Sequence, residues 1–403
     1  MTQAIDALAP ARGSHLRIVG AVSAAHFVSH YYILLLAPLL PFVRADYGVT
    51  YTEIGLALAA FNTVSAVLQT PAGFLVDRLG ARRLLIAGLV VGAFAFIVTG
   101  LVHSYWLLVA MFALAGVGNT VYHPADYAML SQHVPAARIG QAFSVHTFAG
   151  MLGSAVAPPT LLLMHSVWGW RGAFVGAGFL GLAIAALLTT IREAPAVAAA
   201  APKQHKESGP GGWRLLASPP ILLNLLFFTL LAMMSGGIYA FSVPALAALY
   251  GTPVTIGNAA LTGNLLLSAI GVLVGGLLVV RTARHGLVAG AGLAAAALFT
   301  LLVAEVDLGT VALVLAMSAA GFFSGVIMPS RDMIVRAVTP PGSFGKVFGF
   351  VTTGFNIGGI VFPLLFGAIM DRGSPRLVFV TVAALSVAAI ATVASRTPRR
   401  AAD

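Results

Sequence analysis

The feature that most constrains this chain is a succession of long apolar runs separated by short polar joints. They fall at about 16–43, 52–76, 83–102, 105–132, 139–164, 171–191, 220–249, 256–280, 286–304, 309–336, 344–370 and 376–395. At 1.5 Å rise per residue, each is long enough for a helix to cross a hydrocarbon layer about 30 Å thick. The runs are too apolar all round for surface helices. They also lack the period-2 alternation that marks a membrane barrel. The pattern predicts an all-α membrane protein with twelve transmembrane helices. Composition agrees: 59% of residues are apolar and only 8% are charged, against about 25% charged in a soluble globular chain. Such a chain cannot make a polar skin, which excludes soluble enzymes, nucleic-acid-binding modules and disordered proteins. The net charge of +10 does not point to nucleic acid, because its basic residues sit in small clusters between the runs. Cysteine is absent, so disulfides, thiolate metal sites and cysteine nucleophiles are excluded.

The basic residues set the topology. With the N-terminus inside, seventeen of the 22 Lys and Arg fall on the cytoplasmic side, among them Arg12, Arg78, Arg82, Arg83, Lys203, Lys206, Arg281, Arg284 and Arg400. Four (Arg44, Arg171, Arg372 and Arg376) fall outside, and Arg331 lies within a span. This asymmetry follows the positive-inside rule and places both termini in the cytoplasm. Residues 1–15 hold Asp6, Pro10, Arg12 and His15 with no apolar core, so no removable signal peptide is expected.

The chain also repeats itself at an offset of 205. Gly116, Pro124, Pro135, Gly140, Phe143, Gly153, Pro158, Arg171 and Phe174 match Gly321, Pro329, Pro340, Gly345, Phe348, Gly358, Pro363, Arg376 and Phe379 without a gap. The offset is half the chain, which indicates a duplication rather than mere Gly/Pro richness. The expected organisation is a six-helix bundle over 1–191, a polar cytoplasmic linker over 192–218 and a second six-helix bundle over 219–403. Two such bundles place a cavity where they meet, and rocking about it gives alternating access.

Between the second and third spans the chain reads Gly73-Phe-Leu-Val-Asp77-Arg78-Leu-Gly80-Ala-Arg82-Arg83. Gly73 allows a neighbouring helix to come close. Asp77 can pair with a basic group or a helix N-terminus, and Gly80 permits a tight turn. The arginines suit lipid headgroups or helix ends. This G-x-x-x-D-R-x-G-x-R-R pattern resembles the signature loop of the major facilitator superfamily. That implies a role in latching the cytoplasmic side rather than in touching substrate. In the second half, Val280 stands where the Asp of a matching loop would be. Three further patterns resemble the fosmidomycin-resistance-type drug exporters of that superfamily. They are Ala25-His26-x-x-Ser29-His30, Gln69-Thr-Pro71-x-Gly73, and Gly116-x-Gly118-x-x-x-Tyr122-His123-Pro124. The resemblance implies export of small polar drugs against protons. Relative to that group, His30 replaces an acid in the first span, and the acid after His123-Pro124 moves one position to Asp126. Phe112 occupies the arginine position of the drug-antiporter motif.

A charge in hydrocarbon costs at least about 2.5–3.5 kcal/mol, so ionisable residues inside spans call for a reason. They are His26 and His30, His123 and Asp126, His146, and Arg331 with Asp332. His26 and His30, four apart, share a helix face, as do Asn119, His123 and Asp126. Histidine titrates near working pH, and the functional reading is a proton-linked substrate site. Two other readings stay open: histidines satisfied by helix–helix hydrogen bonds, and a transition-metal site of imidazoles with Asp126. Asp126 and Arg331 are repeat mates of opposite sign. They are expected to face each other at equal depth as an ion pair closing the cytoplasmic gate. The rival reading pairs Arg331 with Asp332 and makes Asp126 a proton carrier. Asn62, Ser65, Gln69, Asn224, Tyr239, Asn264 and Asn356 are weaker candidates for the cavity wall, equally suited to holding helices together. Met233, Met234 and the many phenylalanines read as apolar filling.

The sequence thus predicts a secondary transporter of a small polar or anionic organic molecule, coupled to protons. Drug antiport is favoured by the resemblance; uptake of an organic acid is the alternative. Metal-ion transport or a membrane receptor are alternatives of other classes. No nucleotide-binding loop and no H-E-x-x-H or G-x-S-x-G set is present, so neither ATP, enzymic activity nor a cofactor is expected, and no resident metal. The expected partners are substrate, protons and lipid, not nucleic acid. The expected state is a monomer in a bacterial inner membrane.

Overall fold

The computed structural model describes residues 14–135, 138–191, 212–340 and 343–394. Arg12, Arg400 and the linker over 192–211 with Lys203 and Lys206 lie outside the described residues. Every regular element among the described residues is helical. The first span is α1 (Ser14–Ile33), a 3-10 turn (Ala37–Leu39) and α2 (Leu40–Tyr47). Pro38 and Pro41 break the helix there because each lacks a backbone N–H. Then follow α3 (Tyr51–Leu79) and α4 (Ala81–Leu101), and a fourth span split into α5 (Tyr105–Asn119) and α6 (Tyr122–His133). The long α7 (Ile139–Thr190) ends the first half. A short α8 (Gly212–Leu216) leads into α9 (Pro219–Tyr250), α10 (Val254–Arg281), α11 (His285–Glu305), α12 (Gly309–Ala337), α13 (Phe344–Asp371) and α14 (Arg376–Ala394).

Eleven candidate spans are long and apolar enough to cross a membrane. One of them, α7, has 52 residues, a length of about 78 Å that suffices for two crossings. At Gly169 its path leaves the helix with φ 69° and ψ 175°, a conformation open to glycine alone. Read as two spans, α7 completes the expected twelve. The side chains turned away from the protein are those of a lipid-facing surface: Val280 is 87% exposed, Val311 72% and Trp106 71%. The chain is a multi-pass membrane protein.

The duplication recurs in the packing. A Cβ on Gly153 of α7 would collide with the Phe27 carbonyl of α1. A Cβ on its mate Gly358 of α13 would stand 2.5 Å from the Thr229 carbonyl of α9. In both halves the same glycine lets two helix backbones touch, the contact that gives apolar helices their grip in lipid.

The described chain divides into two compact units that do not follow the halves of the repeat. One comprises residues 1–35, 64–157 and 163–204; the other comprises 36–63, 158–162 and 205–403. The reason for the crossover is the start of α3, which packs within the second unit on α13. A Cβ on Gly55 would lie 2.6 Å from the Pro363 carbonyl, and one on Gly367 2.8 Å from the Thr52 backbone. Asp371, the last residue of α13, accepts from the Tyr51 and Thr52 N–H groups at 2.7 and 2.8 Å. It thereby caps the first turn of α3, where N–H groups have no helical partner and the helix dipole favours an anion.

Candidate functional site

In the first unit, α1, α6 and α7 bring four imidazoles and one carboxylate together. Pro124 lies in the first turn of α6, where its missing N–H is tolerated, and the fourth span breaks just before it. That break sets Asp126 on the inner face, with no solvent exposure. Its Oδ2 lies 3.4 Å from His26 Nδ1 and 3.7 Å from His146 Nε2. The His26 ring stacks on His146 with centroids 3.9 Å apart, and meets the His30 and His123 rings edge-on at 4.6 and 5.4 Å. His30 Nδ1 is 3.2 Å from the Ser154 hydroxyl. Neither oxygen of Asp126 has a hydrogen bond, and neither has His26 Nδ1 nor either nitrogen of His146. A carboxylate so placed costs several kcal/mol to bury unless a cation sits beside it. These atoms therefore form a place for a cation or for a ligand that donates hydrogen bonds.

Gly150, one turn along α7 from His146, makes room for the rings. A Cβ there would lie 2.5 Å from His26 Cδ2, 2.6 Å from His26 Nε2 and 3.0 Å from His30 Cδ2. Gly150 and Ser154 are not among the residues that the sequence marks as candidates. Both fall on one stripe of α7 with His146, at steps of four residues. That spacing was the available signal. The four histidines expected inside the spans are not equally buried. His26 and His146 are buried and His30 is half-buried, whereas His123 is exposed, because it follows the break in the fourth span on the face next to exposed Tyr127.

In the second unit, Arg331 of α12 donates from Nε to Asp332 at 2.9 Å and from Nη1 to Met328 Sδ at 3.1 Å. Its guanidinium carbon lies 4.8 Å from the Phe228 ring centroid and 5.3 Å from that of Phe355, positions in which the ring faces attract a cation. Nη2 has no partner among the described residues. Met328 and Phe355 also line a cavity whose polar wall includes Ser235, Tyr239, Asn264, Ser268 and Ser324. The two phenylalanines are thus more than filling: with Met328 they surround the half-buried Arg331.

The residues of the expected gate pair, Asp126 and Arg331, fall in different units. Each charge has its partners inside its own unit: imidazoles for Asp126, Asp332 and two aromatic rings for Arg331.

The remaining candidates scatter. Asn119 donates to Ser65, and Ser65 to the Gly116 carbonyl. Asn62 donates to Leu58 in its own helix, and its side chain lies against Gly359. Asn264 donates to the Met317 carbonyl, tying α10 to α12, and Asn224 donates to Pro220. Gln69 is exposed, and Asn356 is half-buried.

In the signature loop, Gly80 makes the turn between α3 and α4 with φ 94°. Arg82 donates to the Leu188 carbonyl at 2.9 Å and to that of Thr189, capping the end of α7. Asp77, Arg78 and Arg83 are exposed, and Asp77 has no partner among the described residues. Among the described residues, nothing lies within 4 Å of where a Cβ on Gly73 would be.

With this geometry in view, comparisons with known proteins are informative. The sequence profile of the Major Facilitator Superfamily matches residues 22–236 and 225–403. The fosmidomycin resistance protein of Escherichia coli is 24% identical over 383 residues, covering 93% of this chain and 92% of that protein. A probable sulfoacetate transporter of Cupriavidus necator is 28% identical over 166 residues, and a probable L-galactonate transporter of Escherichia coli 31% over 143. Those matches cover 41% and 36% of this chain, and only 38% and 32% of the two relatives' own lengths. Among solved structures, a bacterial homologue of the human lysosomal transporter Spinster superposes with a TM-score of 0.78 at 13% identity, covering 95% of this chain and 97% of its own. That likeness establishes the fold.

Proposed function

The chain belongs to the Major Facilitator Superfamily, and on that premise we propose that it is a secondary transporter of a small anionic organic molecule. Its halves, 1–191 and 219–403, joined by the 192–218 linker, alternate access to the two sides of a bacterial inner membrane, with both termini cytoplasmic. The observation that carries the anionic class is Arg331: a guanidinium seated between two phenylalanine rings, with free Nη2 donors, beside a cavity walled by hydroxyls and an amide. A planar guanidinium with unused donors suits a carboxylate or sulfonate, which it can hold through two parallel hydrogen bonds. Relatives named for sulfoacetate, galactonate and nitrate transport support the same class.

The cluster of His26, His30, His123, Asp126 and His146 is the place where the coupling cation, a proton, is taken up. It is where an acid lies wholly buried among imidazoles inside the spans, and a buried carboxylate without hydrogen bonds demands a positive partner. Tyr239 and Asn264 contribute to the substrate cavity; Asn62, Asn119, Gln69 and Asn356 contribute to helix contacts. The signature loop from Gly73 to Arg83 latches one side through Asp77 and moves with the rocking halves. The protein works as a monomer.

A second reading, export of a drug, is favoured by the fosmidomycin resistance protein, whose match runs through nearly the whole of both chains. One experiment separates the readings. The purified protein is reconstituted in liposomes with a pH dye inside, and sulfoacetate, galactonate, nitrate and fosmidomycin are offered in turn. The anion reading expects saturable uptake of an organic acid accompanied by protons and lost in Arg331→Gln. Movement of fosmidomycin against protons, unaffected by Arg331→Gln, would favour the drug reading. If no solute moves and no counterflow is seen, transport of these classes is overturned.

A further inference from the structure

We propose that His26, Asp126 and His146 form a binding site for one divalent transition-metal ion of zinc's class. The three residues come from three helices, α1, α6 and α7, and are 4%, 0% and 1% exposed. Each offers one ligand atom, and these atoms all lie within 4.8 Å of one another. Their spacing fits a metal better than it fits a hydrogen-bonded histidine. A nitrogen that donates to a carboxylate approaches to about 2.7–2.9 Å, whereas His26 Nδ1 and His146 Nε2 stop 3.4 and 3.7 Å from Asp126 Oδ2. In a tetrahedron with metal–ligand bonds of about 2.0–2.1 Å, neighbouring ligand atoms stand about 3.3–3.4 Å apart. Two edges of the triad, at 3.4 and 3.7 Å, are thus close to that length, and all the ligand atoms lie within 4.8 Å of one another.

The second observation is independent of spacing. His26 Nδ1, both oxygens of Asp126 and both nitrogens of His146 are buried without a hydrogen bond, although buried polar side chains nearly always have one. His26 Nδ1 and His146 Nε2 both approach the Asp126 carboxylate, whereas His146 Nδ1 lies on the other side of its ring. A cation of charge two placed there would satisfy the carboxylate and both imidazoles at once. Two imidazole nitrogens with one carboxylate oxygen select zinc, cobalt or nickel over magnesium or calcium, which prefer all-oxygen cages. Three protein ligands leave a fourth position open for water or for an oxygen of an anionic solute. His30 Nδ1 is held by Ser154. Gly150 is part of the site, because a side chain there would push the His26 ring out of place.

A metal here would compete with the coupling proton for the same atoms, and its binding is measured without any solute. The full chain, purified in detergent and stripped with a chelator, is titrated with zinc by calorimetry. In parallel it is loaded with cobalt, whose visible bands are intense when coordination is tetrahedral and weak when octahedral. The expected result is one equivalent of zinc and an intense cobalt spectrum. Asp126→Asn, His26→Gln and His146→Gln each weaken zinc binding by at least about tenfold, the scale seen even for less direct changes around metal sites. His103→Gln, an exposed imidazole outside the cluster, leaves it unchanged. Zinc bound equally well by the Asp126→Asn/His146→Gln double variant, or a weak cobalt spectrum in the unaltered protein, overturns the site. Should the variants fail to fold, the cobalt spectrum of the unaltered protein decides alone. A protein that moves anions but binds no stoichiometric zinc would retain its transport reading and lose this one.

Discussion

Positions 126 and 331 are equivalent in the two copies of the repeat, yet one carries an acid and the other a base. Around Asp126 the first half has His123, His146 and the bare Gly150. The corresponding residues of the second half, at the same offset of 205, are Met328, Val351 and Phe355. Met328 and Phe355 touch Arg331 as His146 faces Asp126 and as Gly150 admits the His26 ring. Each charge therefore has surroundings of its own chemistry: nitrogen ligands for the carboxylate, polarisable sulfur and ring faces for the guanidinium. Meanwhile Gly153 and Gly358 perform the same packing task in both halves. The duplicated chain kept the glycines and prolines that shape helices and diverged in the side chains that meet solutes.

This contrast can be broken most severely by exchanging the charges. Asp126→Arg combined with Arg331→Asp is expected to abolish solute uptake in proteoliposomes. Each new charge would lie among partners suited to the other sign, and leaving a buried charge uncompensated costs about 3–5 kcal/mol. An active double variant would mean that the two charges face each other during the cycle after all. Next in size is Arg331→Gln. It should raise KM for an anionic solute by about tenfold to a hundredfold, in line with the 1.5–3 kcal/mol of a hydrogen bond to a charged group, while zinc affinity stays unchanged. A smaller effect is expected from Gly150→Ala, which crowds His26 and should lower stability in detergent by about 1–3 kcal/mol, the usual range for overpacking. The same change should weaken zinc binding; a stable variant with unaltered affinity would place the rings elsewhere. The smallest is Asp371→Ala, which removes an exposed cap from α3 and should cost about 1 kcal/mol in a thermal melt, with zinc affinity unaltered.

Much of the architecture was legible along the chain. The twelve apolar runs correspond to the observed spans, including the pair that α7 joins through Gly169. The matched Gly153 and Gly358 announced the duplication before any contact was known. The compact units were not legible. Residues 36–63 group with the second half because Gly55, Gly367 and Asp371 bring α3 and α13 together, a meeting of segments some 300 residues apart that no local pattern encodes. The candidate site was half legible. Ionisable side chains inside apolar runs are conspicuous, so His26, His30, His123, Asp126, His146 and Arg331 could be named. Their partners within each unit could not be. Equivalence under a repeat specifies depth along a helix axis, whereas pairing depends on how far each helix is turned about that axis. The phenylalanines around Arg331 were overlooked for a related reason: in a chain with 24 of them, nothing marks the two that face a cation.

By itself the sequence determined that this chain crosses a membrane as helices, how many times it does so, and that it does so as two related halves. Those properties follow from the cost of placing each residue in hydrocarbon, which accumulates along a segment without reference to its neighbours in space. Only the tertiary structure decided which imidazoles surround Asp126, which rings hold Arg331 and where the chain divides. Those outcomes rest on helix rotation and backbone approach between distant segments, set by a few glycines and by the shapes packed against them.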